Sequence, residues 1–106
     1  MHFTYTLISC HHKFIYVGMT NNLADRIRRH NAGYEKATKP YRPFILLYFE
    51  VVDNQLQARK REVFLKNRSG KLFLYSLAFR KTELLRRAGL SSWLQNLKDD
   101  RLSRLD

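Results

Sequence analysis

The sequence predicts a single small α/β (α+β) domain, in which a mainly antiparallel three-stranded sheet is flanked by helices. Three short segments, 3–9, 14–19 and 44–52, are rich in β-branched and aromatic side chains, which favour strands. The segments between and after them repeat apolar residues at helical spacing. With 106 residues, of which 44% are hydrophobic and 13% aromatic, the chain has the length and composition of one folded domain.

The first two strands are predicted to form an antiparallel hairpin. Segment 3–9 alternates large apolar residues with threonine, which is typical of a half-buried strand. Residues 10–13 are short and polar enough to turn the chain into the second strand, which ends near Gly18. In a suitable register, this pairing brings Tyr5 and Tyr16 side by side on neighbouring strands.

A short helix over 23–31 is predicted to follow the hairpin. The polar residues 20–22 can accept hydrogen bonds from its first N–H groups, and Gly33 stops it. Arg26 and His30 are four residues apart, so they project about 40° apart around the helix axis. The apolar residues of this helix place His30 on its inward side and Arg26 at the border of that side. A guanidinium and an imidazole at this rim are well placed to bind a phosphate.

The second half of the chain begins with a nearly continuous apolar run. Segment 44–52 is predicted to be the central strand of the sheet. In the helix predicted over 55–67, Glu62 lies in a stripe of small and apolar neighbours, which is costly for a charge without a partner. Ser69-Gly70 is expected to break this helix, and a further helical pattern runs over 71–88.

No repeat, low-complexity segment or long linker divides the chain. A last short helix, capped by Ser91, is expected to pack through Trp93. We therefore expect one domain over 1–106, with the motifs in 3–70 and the C-terminal helices in 71–105.

The charge balance points to a polyanionic partner. The formal net charge is +11 and the sequence pI is about 10.2, which favours nucleic acid first and an anionic membrane surface second. No apolar run approaches the roughly 20 residues of a membrane span, and the first residues do not begin a signal peptide. The single Cys10 excludes an internal disulfide, and no Cys/His pair has zinc-finger spacing. We expect a cytoplasmic location and no membrane partner.

A basic loop over 33–43 carries tyrosines among its cations, which favours a nucleic-acid track. The predicted nucleic-acid contacts are Arg29 on the preceding helix, Lys36, Lys39 and Arg42 in the loop, and Lys66 near the end of the next helix. His11 and His12 lie in the first turn, and we expect them to be exposed rather than metal ligands.

Five side chains together form a recognisable pattern: Tyr5, Tyr16 within Tyr16-Val17-Gly18, Arg26, His30 and Glu62. In this order and spacing they resemble the motifs of the GIY-YIG nuclease family, and more closely its small single-domain bacterial branch. Gly18 matches the structural glycine of the second motif. The chain departs from the family pattern at Phe3 and Thr4, which replace glycine and isoleucine. For the polar residue that many members carry after the glutamate, Asn67 and Ser69 are the candidates.

The resemblance implies a metal-dependent endonuclease that cleaves phosphodiester bonds of DNA, or of RNA, with branched, damaged or single-stranded DNA as candidate substrates. Glu62 would hold one Mg²⁺ or Mn²⁺ ion, weakly until substrate phosphate joins it. Arg26 would bind the scissile phosphate. Tyr5 would take the proton of the attacking water and Tyr16 would orient water or substrate, although the two roles can be exchanged. An ordinary tyrosine is too weak a base at neutral pH by about 4 kcal/mol, so Arg26, the metal or His30 would have to stabilise the phenolate.

Each of these residues, taken singly, has a simpler explanation. The tyrosines suit sheet packing, and Glu62 can pair with Lys66 on a helix surface. Their joint occurrence outweighs these explanations. The competing hypothesis is a module of the same fold that binds nucleic acid without cutting it, and a weaker one is docking on an anionic membrane or an acidic protein. We expect a monomer or weak homodimer, and a DNA repair role in which a protein partner supplies the targeting.

Overall fold

The computed structural model describes residues 1–81, which form a three-stranded sheet with helices on both faces. In chain order the elements are β1 (His2–Ser9), β2 (Ile15–Thr20), α1 (Leu23–Ala32), a 3-10 turn (Lys39–Tyr41), β3 (Phe44–Val52), α2 (Gln55–Lys66) and α3 (Arg68–Arg80). All strand pairs are antiparallel, so the predicted α+β class is confirmed. The predictions beyond residue 81, including the helix capped by Ser91 and the role of Trp93, lie outside the described residues. Within residues 1–81, no helix has the length and apolar character needed to cross a membrane.

The central strand is β1 rather than β3, which corrects the prediction for segment 44–52. The strand order is β2-β1-β3, and β1 pairs with both neighbours. The prediction of a half-buried first strand is also wrong, because Thr4 and Thr6 are fully buried. Thr4 faces α2, where its hydroxyl donates a 2.8 Å hydrogen bond to the carbonyl of Ala58. The helix can therefore cover Thr4 because it supplies an acceptor, whereas the hydroxyl of Thr6 is buried with no hydrogen-bond partner in residues 1–81.

Strand β3 forms one outer edge of the sheet. Its apolar run includes Phe49 and Val51, which are 47% and 55% exposed, so the run reflects strand preference rather than burial on both faces. The pairing of β3 with β1 is irregular between Thr6 and Leu7 of β1. The ammonium of Lys81 lies 3.4 Å from the carbonyl oxygen of Leu47. This edge is therefore both irregular and charged.

The sheet separates two apolar clusters that hold the helices. On one face, Tyr5, Leu7 and Phe44 are buried against Leu23 and Ile27 of α1, which confirms the predicted inward side of that helix. On the other face, α2 and α3 cover a cluster of Ile8, Cys10, Val17, Leu47, Leu65, Leu74 and Ala78. Burial of these apolar side chains is the main force that fixes the helices on the sheet.

Both ends of α1 are fixed by specific contacts. The side chain of Asn22 accepts a 3.1 Å hydrogen bond from the first turn, and Gly33 ends the helix with a φ of 86°. The side chain of Asn31 accepts the N–H of Phe44 at 2.6 Å and donates to its carbonyl at 3.2 Å. These bonds tie the end of α1 to the start of β3, and they fix the neighbouring His30 over the sheet.

The boundary between α2 and α3 lies at Asn67, which corrects the prediction that Ser69-Gly70 breaks the helix. The backbone N–H of Asn67 donates to the carbonyl of Phe64 at 3.1 Å, and its side chain accepts the N–H of Gly70 at 2.9 Å. Gly70 lies inside α3 and is buried, and a Cβ there would overlap the backbone of Phe64 and Leu65. The glycine therefore lets the two helices meet closely.

Replacing Leu65 by alanine is expected to lower the free energy of unfolding by about 2–5 kcal/mol, because the side chain is completely buried between α2 and the sheet. Urea unfolding followed by circular dichroism measures this change. The matched control is Leu56→Ala in the same helix, where the side chain is 62% exposed and the expected change is below about 0.5 kcal/mol. Equal losses in the two variants would contradict the described packing.

Candidate active site

Gly18 allows two tyrosine rings to meet on the α1 face of the sheet. The register places Gly18 opposite Tyr5 and Tyr16 opposite Leu7, so the tyrosines are diagonal neighbours with ring centroids 6.2 Å apart. A Cβ at position 18 would lie 2.7 Å from Tyr5 Oη and 2.8 Å from Tyr16 Cε2, closer than van der Waals contact permits. The prediction that the hairpin brings these tyrosines together is confirmed.

His30 joins the tyrosines from α1. It is completely buried, and its Nε2 lies 2.7 Å from Tyr5 Oη while its Nδ1 lies 2.8 Å from the Thr38 hydroxyl. Its ring centroid is 4.9 Å from that of Tyr16. Burial lowers the pKa of His30 below its ordinary value, and the pull of Glu35 in the opposite direction does not reverse this. His30 is therefore a neutral imidazole at neutral pH.

Tyr5 is held as a neutral phenol. Burial is the main cause that raises its pKa above the ordinary value, and the neighbouring Tyr16 adds to the increase. The positive charge of Arg26 acts in the opposite direction, whereas Glu35 and Glu62 raise the pKa further. Ionisation of Tyr5 therefore requires either a proton acceptor beside it or additional positive charge.

Arg26 lies at the rim of this buried cluster, as predicted. Its side chain is 36% exposed, and its Nη1 is 3.6 Å from Glu35 Oε1. The same carboxylate oxygen is 3.3 Å from Arg29 Nε. An exposed ion pair of this kind contributes about 1 kcal/mol or less, so an incoming phosphate can compete for Arg26.

Glu62 lies on α2, which packs on the face of the sheet opposite to α1. Its side chain is only 14% exposed, and its oxygens lie 3.3 Å from Lys66 Nζ and 3.7 Å from Arg59 Nε. The ion pair between Glu62 and Lys66 agrees with the prediction from their spacing of four residues on a helix. The charge of Glu62 reaches Tyr5, since it contributes to the raised pKa of that phenol.

Residues 1–76, which include all five of these side chains, match the GIY-YIG catalytic domain. The chain belongs to the GIY-YIG family. A UPF0213 protein of Clostridium perfringens is 39% identical over 79 residues, which cover 72% of this chain and 84% of the relative. A UPF0213 protein of Pediococcus pentosaceus is 37% identical over 97 residues, which cover 91% of this chain and 92% of the relative. No solved structure matches the chain.

These matches confirm the resemblance to small bacterial GIY-YIG proteins. The GIY-YIG fold is of nuclease type, and its members are generally endonucleases. The first motif has Phe3 and Thr4 where the family has glycine and isoleucine, yet β1 is formed and Tyr5 is positioned without them.

A metal centre in this GIY-YIG domain would have one carboxylate from the described residues. In residues 1–81, no three His, Cys, Asp or Glu side chains form a group that could hold a metal ion. Glu62 provides hard oxygen ligands, and its partners Arg59 and Lys66 are exposed enough to turn away. This donor set fits Mg²⁺ or Mn²⁺ with water and phosphate oxygens as the remaining ligands.

The predicted nucleic-acid contacts fall into two groups on the GIY-YIG domain. Lys36, Lys39 and Arg42 are exposed on the segment between α1 and β3, where Arg42 packs over Gly33. Arg29 lies beside them, but it is paired with Glu35 and stacks over the ring of Tyr34 at 5.3 Å. Lys66 is separate from this group, at the end of α2.

Lys66 borders a groove of about 430 Å³ between β2 and the helices α2 and α3. The charged residues that line the groove are Lys13, Lys66 and Lys71, and the aromatic ones are Phe14, Tyr16 and Tyr75. The groove therefore connects the candidate active site, through Tyr16, to a cluster of cations. Lys13 and Lys71 were not singled out from the sequence, because a turn lysine and a helix lysine carry no pattern of their own.

Two further residues were missed. Glu35 was visible as an acidic residue in an otherwise basic loop, and this departure could have suggested an ion pair with the arginines of α1. The sequence around Thr38 gave no indication that its hydroxyl contacts His30. Of the two candidates for the downstream polar residue, Asn67 caps α3 and Ser69 is exposed in its first turn.

The free energy of unfolding is expected to fall as pH decreases below about 6.5, because the unfolded chain then protonates His30 while the folded protein resists it. The groups that face the ring are Tyr5, Tyr16, Arg26, Arg29 and Glu35. In His30→Gln, the decline between about pH 7.5 and pH 5 should be smaller, as measured by urea unfolding. The exposed control His11→Gln should retain the decline of the wild type, and an unchanged decline in His30→Gln would refute the assignment.

Proposed function

We propose that this GIY-YIG protein is an endonuclease that uses Mg²⁺ or Mn²⁺ to hydrolyse phosphodiester bonds of DNA. The proposal rests chiefly on the 2.7 Å contact between Tyr5 Oη and Nε2 of the buried, neutral His30. A phenol beside a neutral imidazole can pass on its proton and then act as a base. Arg26 at the rim supplies a cation where a phosphate would arrive.

Tyr5 is the proposed general base. Its proton moves to His30 Nε2, and the resulting phenolate takes a proton from the attacking water. The water oxygen forms a bond to phosphorus, and the bond between phosphorus and the leaving oxygen breaks. An ordinary tyrosine would need about 4 kcal/mol to ionise at neutral pH. Burial makes the transfer from Tyr5 to His30 costlier, because it raises the pKa of Tyr5 and lowers the pKa of His30. The attraction between phenolate and imidazolium, together with the positive charge of Arg26, offsets part of that cost.

Tyr16 is the proposed orienting residue. It lies beside both Tyr5 and His30, and it also lines the groove that leads away from the cluster. Among the described residues, Tyr16 has no hydrogen bond to a proton acceptor comparable to that of Tyr5. This bond favours Tyr5 as the base, whereas access to water favours Tyr16, because Tyr5 is completely buried and Tyr16 is only partly buried. Tyr5 is the proposed base because it has the proton acceptor.

Arg26 is the proposed ligand of the scissile phosphate. Its side chain is 36% exposed, and its one ion pair within residues 1–81 is with Glu35, at 3.6 Å. The fork of donors in a guanidinium matches two phosphate oxygens, which exceeds what one carboxylate oxygen offers in the free protein. Positive charge beside Tyr5 also lowers the cost of forming the phenolate.

Glu62 is the proposed metal ligand, and water and substrate phosphate would complete the coordination. When bound, the ion would withdraw charge from the phosphoryl oxygens and stabilise the leaving oxygen. In the free protein, Lys66 and Arg59 partly neutralise Glu62. A site with one protein carboxylate binds its metal weakly until the phosphate joins.

The cations support a nucleic-acid substrate. Lys13, Lys66 and Lys71 line the groove together with Tyr16. The exposed cations of the segment after α1 follow Glu35, the ion-pair partner of Arg26, in the chain. A DNA strand bound along the groove would thus bring a phosphate to the tyrosines. We expect branched, damaged or single-stranded DNA to be the preferred substrate.

A non-catalytic DNA-binding module is the second candidate. It is favoured by the raised pKa of Tyr5, since a phenol that stays protonated cannot act as a base. The two candidates differ in their dependence on Glu62, because a binding module has no need of a metal ligand.

Glu62→Ala is expected to lower the rate of DNA cleavage by at least about 100-fold, because the metal ion that stabilises transition-state charge is lost. The measurement is cleavage of labelled single-stranded, duplex, flapped and four-way DNA with Mg²⁺ or Mn²⁺, with DNA affinity measured in parallel. Affinity should change little. Asp53→Ala, which removes an exposed carboxylate outside the site, should cleave like the wild type. Binding without cutting by the wild type on every substrate would favour the second candidate.

Lys13→Ala and Lys71→Ala are each expected to weaken DNA binding and to lower the slope of log affinity against log salt by about 0.7–0.9, the value for one lost phosphate contact. Fluorescence anisotropy over a salt series measures both quantities. Lys60→Ala is the matched control, since this lysine is exposed on α2 and does not line the groove. If the salt slopes of all three variants are equal, the groove lysines do not contact DNA phosphates.

A further inference from the structure

Thr38 is a buried hydroxyl within a basic surface segment. It lies between α1 and the 3-10 turn, and it is 0% exposed although Lys36 and Lys39 on either side are exposed. Its Oγ1 lies 2.8 Å from His30 Nδ1 and 3.3 Å from the backbone carbonyl oxygen of Glu35. A buried hydroxyl requires such partners, because water cannot reach it.

The partners of Thr38 set the direction of its hydrogen bonds. A carbonyl oxygen can only accept, so the hydroxyl proton of Thr38 points to Glu35. The oxygen of Thr38 is then an acceptor for His30, which places the imidazole proton on Nδ1. A neutral imidazole carries one proton, so Nε2 has a free lone pair directed at the hydroxyl of Tyr5.

The opposite direction leaves the phenol proton of Tyr5 without an acceptor. With its proton on Nε2, His30 would donate to Tyr5, and Nδ1 would use the hydroxyl proton of Thr38. In residues 1–81, Tyr5 Oη has no hydrogen-bond partner other than His30, so the phenol proton would have no acceptor there. At the other end the Glu35 carbonyl would keep the backbone N–H groups of Thr38 and Lys39 as donors, so the cost of this direction lies at Tyr5.

We propose that Thr38 is a positioning residue that holds His30 in the tautomer with its proton on Nδ1, so that Nε2 is always ready to accept the proton of Tyr5. Thr38 does not touch the substrate. It acts through His30, and its effect on cleavage rests on the function proposed above, whereas its effect on the tautomer does not.

The tautomer is measured directly by nuclear magnetic resonance. Long-range proton–nitrogen correlation spectra of isotope-labelled protein distinguish the two neutral forms of each imidazole, and the signals missing from His30→Gln identify His30. The wild type should show the Nδ1–H form near neutral pH. A wild type in the Nε2–H form would overturn the proposal, whatever the variants do.

Thr38→Val and Thr38→Ser separate the hydroxyl from the shape of the side chain. Valine keeps the volume but removes the acceptor, so His30 should lose the Nδ1–H form as its main state, whereas serine should retain that form. Thr6→Val is the matched control, because Thr6 is equally buried in β1 and its hydroxyl makes no hydrogen bond within the described part of the chain. An unchanged tautomer in Thr38→Val would overturn the proposal.

Cleavage assays add the catalytic consequence. The turnover number of Thr38→Val should fall by about 100-fold with little change in KM, and Thr38→Ser should restore most of it. A loss in Thr38→Val that serine does not rescue would reveal a purely structural role and overturn the proposal. If Thr38→Val does not fold, the proposal is tested by the tautomer of His30 in the spectra of the wild type and Thr38→Ser. A wild type that never cleaves DNA while His30 shows the expected tautomer would refute the proposed function but not the role of Thr38 in setting the tautomer.

Discussion

The buried hydrogen bond between Tyr5 and His30 is the interaction on which the rest of the site depends. One partner lies on the central strand and the other on α1, so the bond forms only when the helix packs correctly on the sheet. In a buried environment an incomplete polar pair is costly, and this cost selects one placement of the helix. Gly18 leaves the space that the phenol requires. The same contact therefore specifies both the packing of the fold and the arrangement of its candidate catalytic groups.

A short turn after α1 organises the two other groups around this bond. The carboxylate of Glu35 holds Arg26 at the rim, and the backbone carbonyl of the same residue accepts the hydroxyl of Thr38, which contacts His30. Four residues of chain thus orient a cation and an imidazole together. Because the turn is short, little loop entropy is lost in bringing these groups into place. A substitution in this turn would therefore alter the positions of both the Arg26 guanidinium and the His30 imidazole.

Local patterns could predict the strands and the start of α1 and α2, because alternation, helical spacing and capping depend on near neighbours in the chain. The five motif positions were predicted from the resemblance to the GIY-YIG family. The position of β1 at the centre of the sheet could not be predicted in this way. Thr4 is buried there because Ala58, far along the chain, supplies an acceptor for its hydroxyl. Thr38 was missed for the same reason, since its role depends on His30 across a turn. The individual catalytic roles remain predictions.

The lysines beside the outer strands have a consequence for contacts between copies of the protein. The unpaired backbone of an edge strand can pair with another chain, and charge or irregularity at the edge opposes this. Lys81 lies against the irregular β3, and Lys13 lies in the turn just before β2. Two such edges repel each other, which disfavours growth of the sheet into an aggregate. A bound polyanion would neutralise this repulsion. Several copies bound side by side on one nucleic acid would therefore pair through their edge strands more readily than copies free in solution.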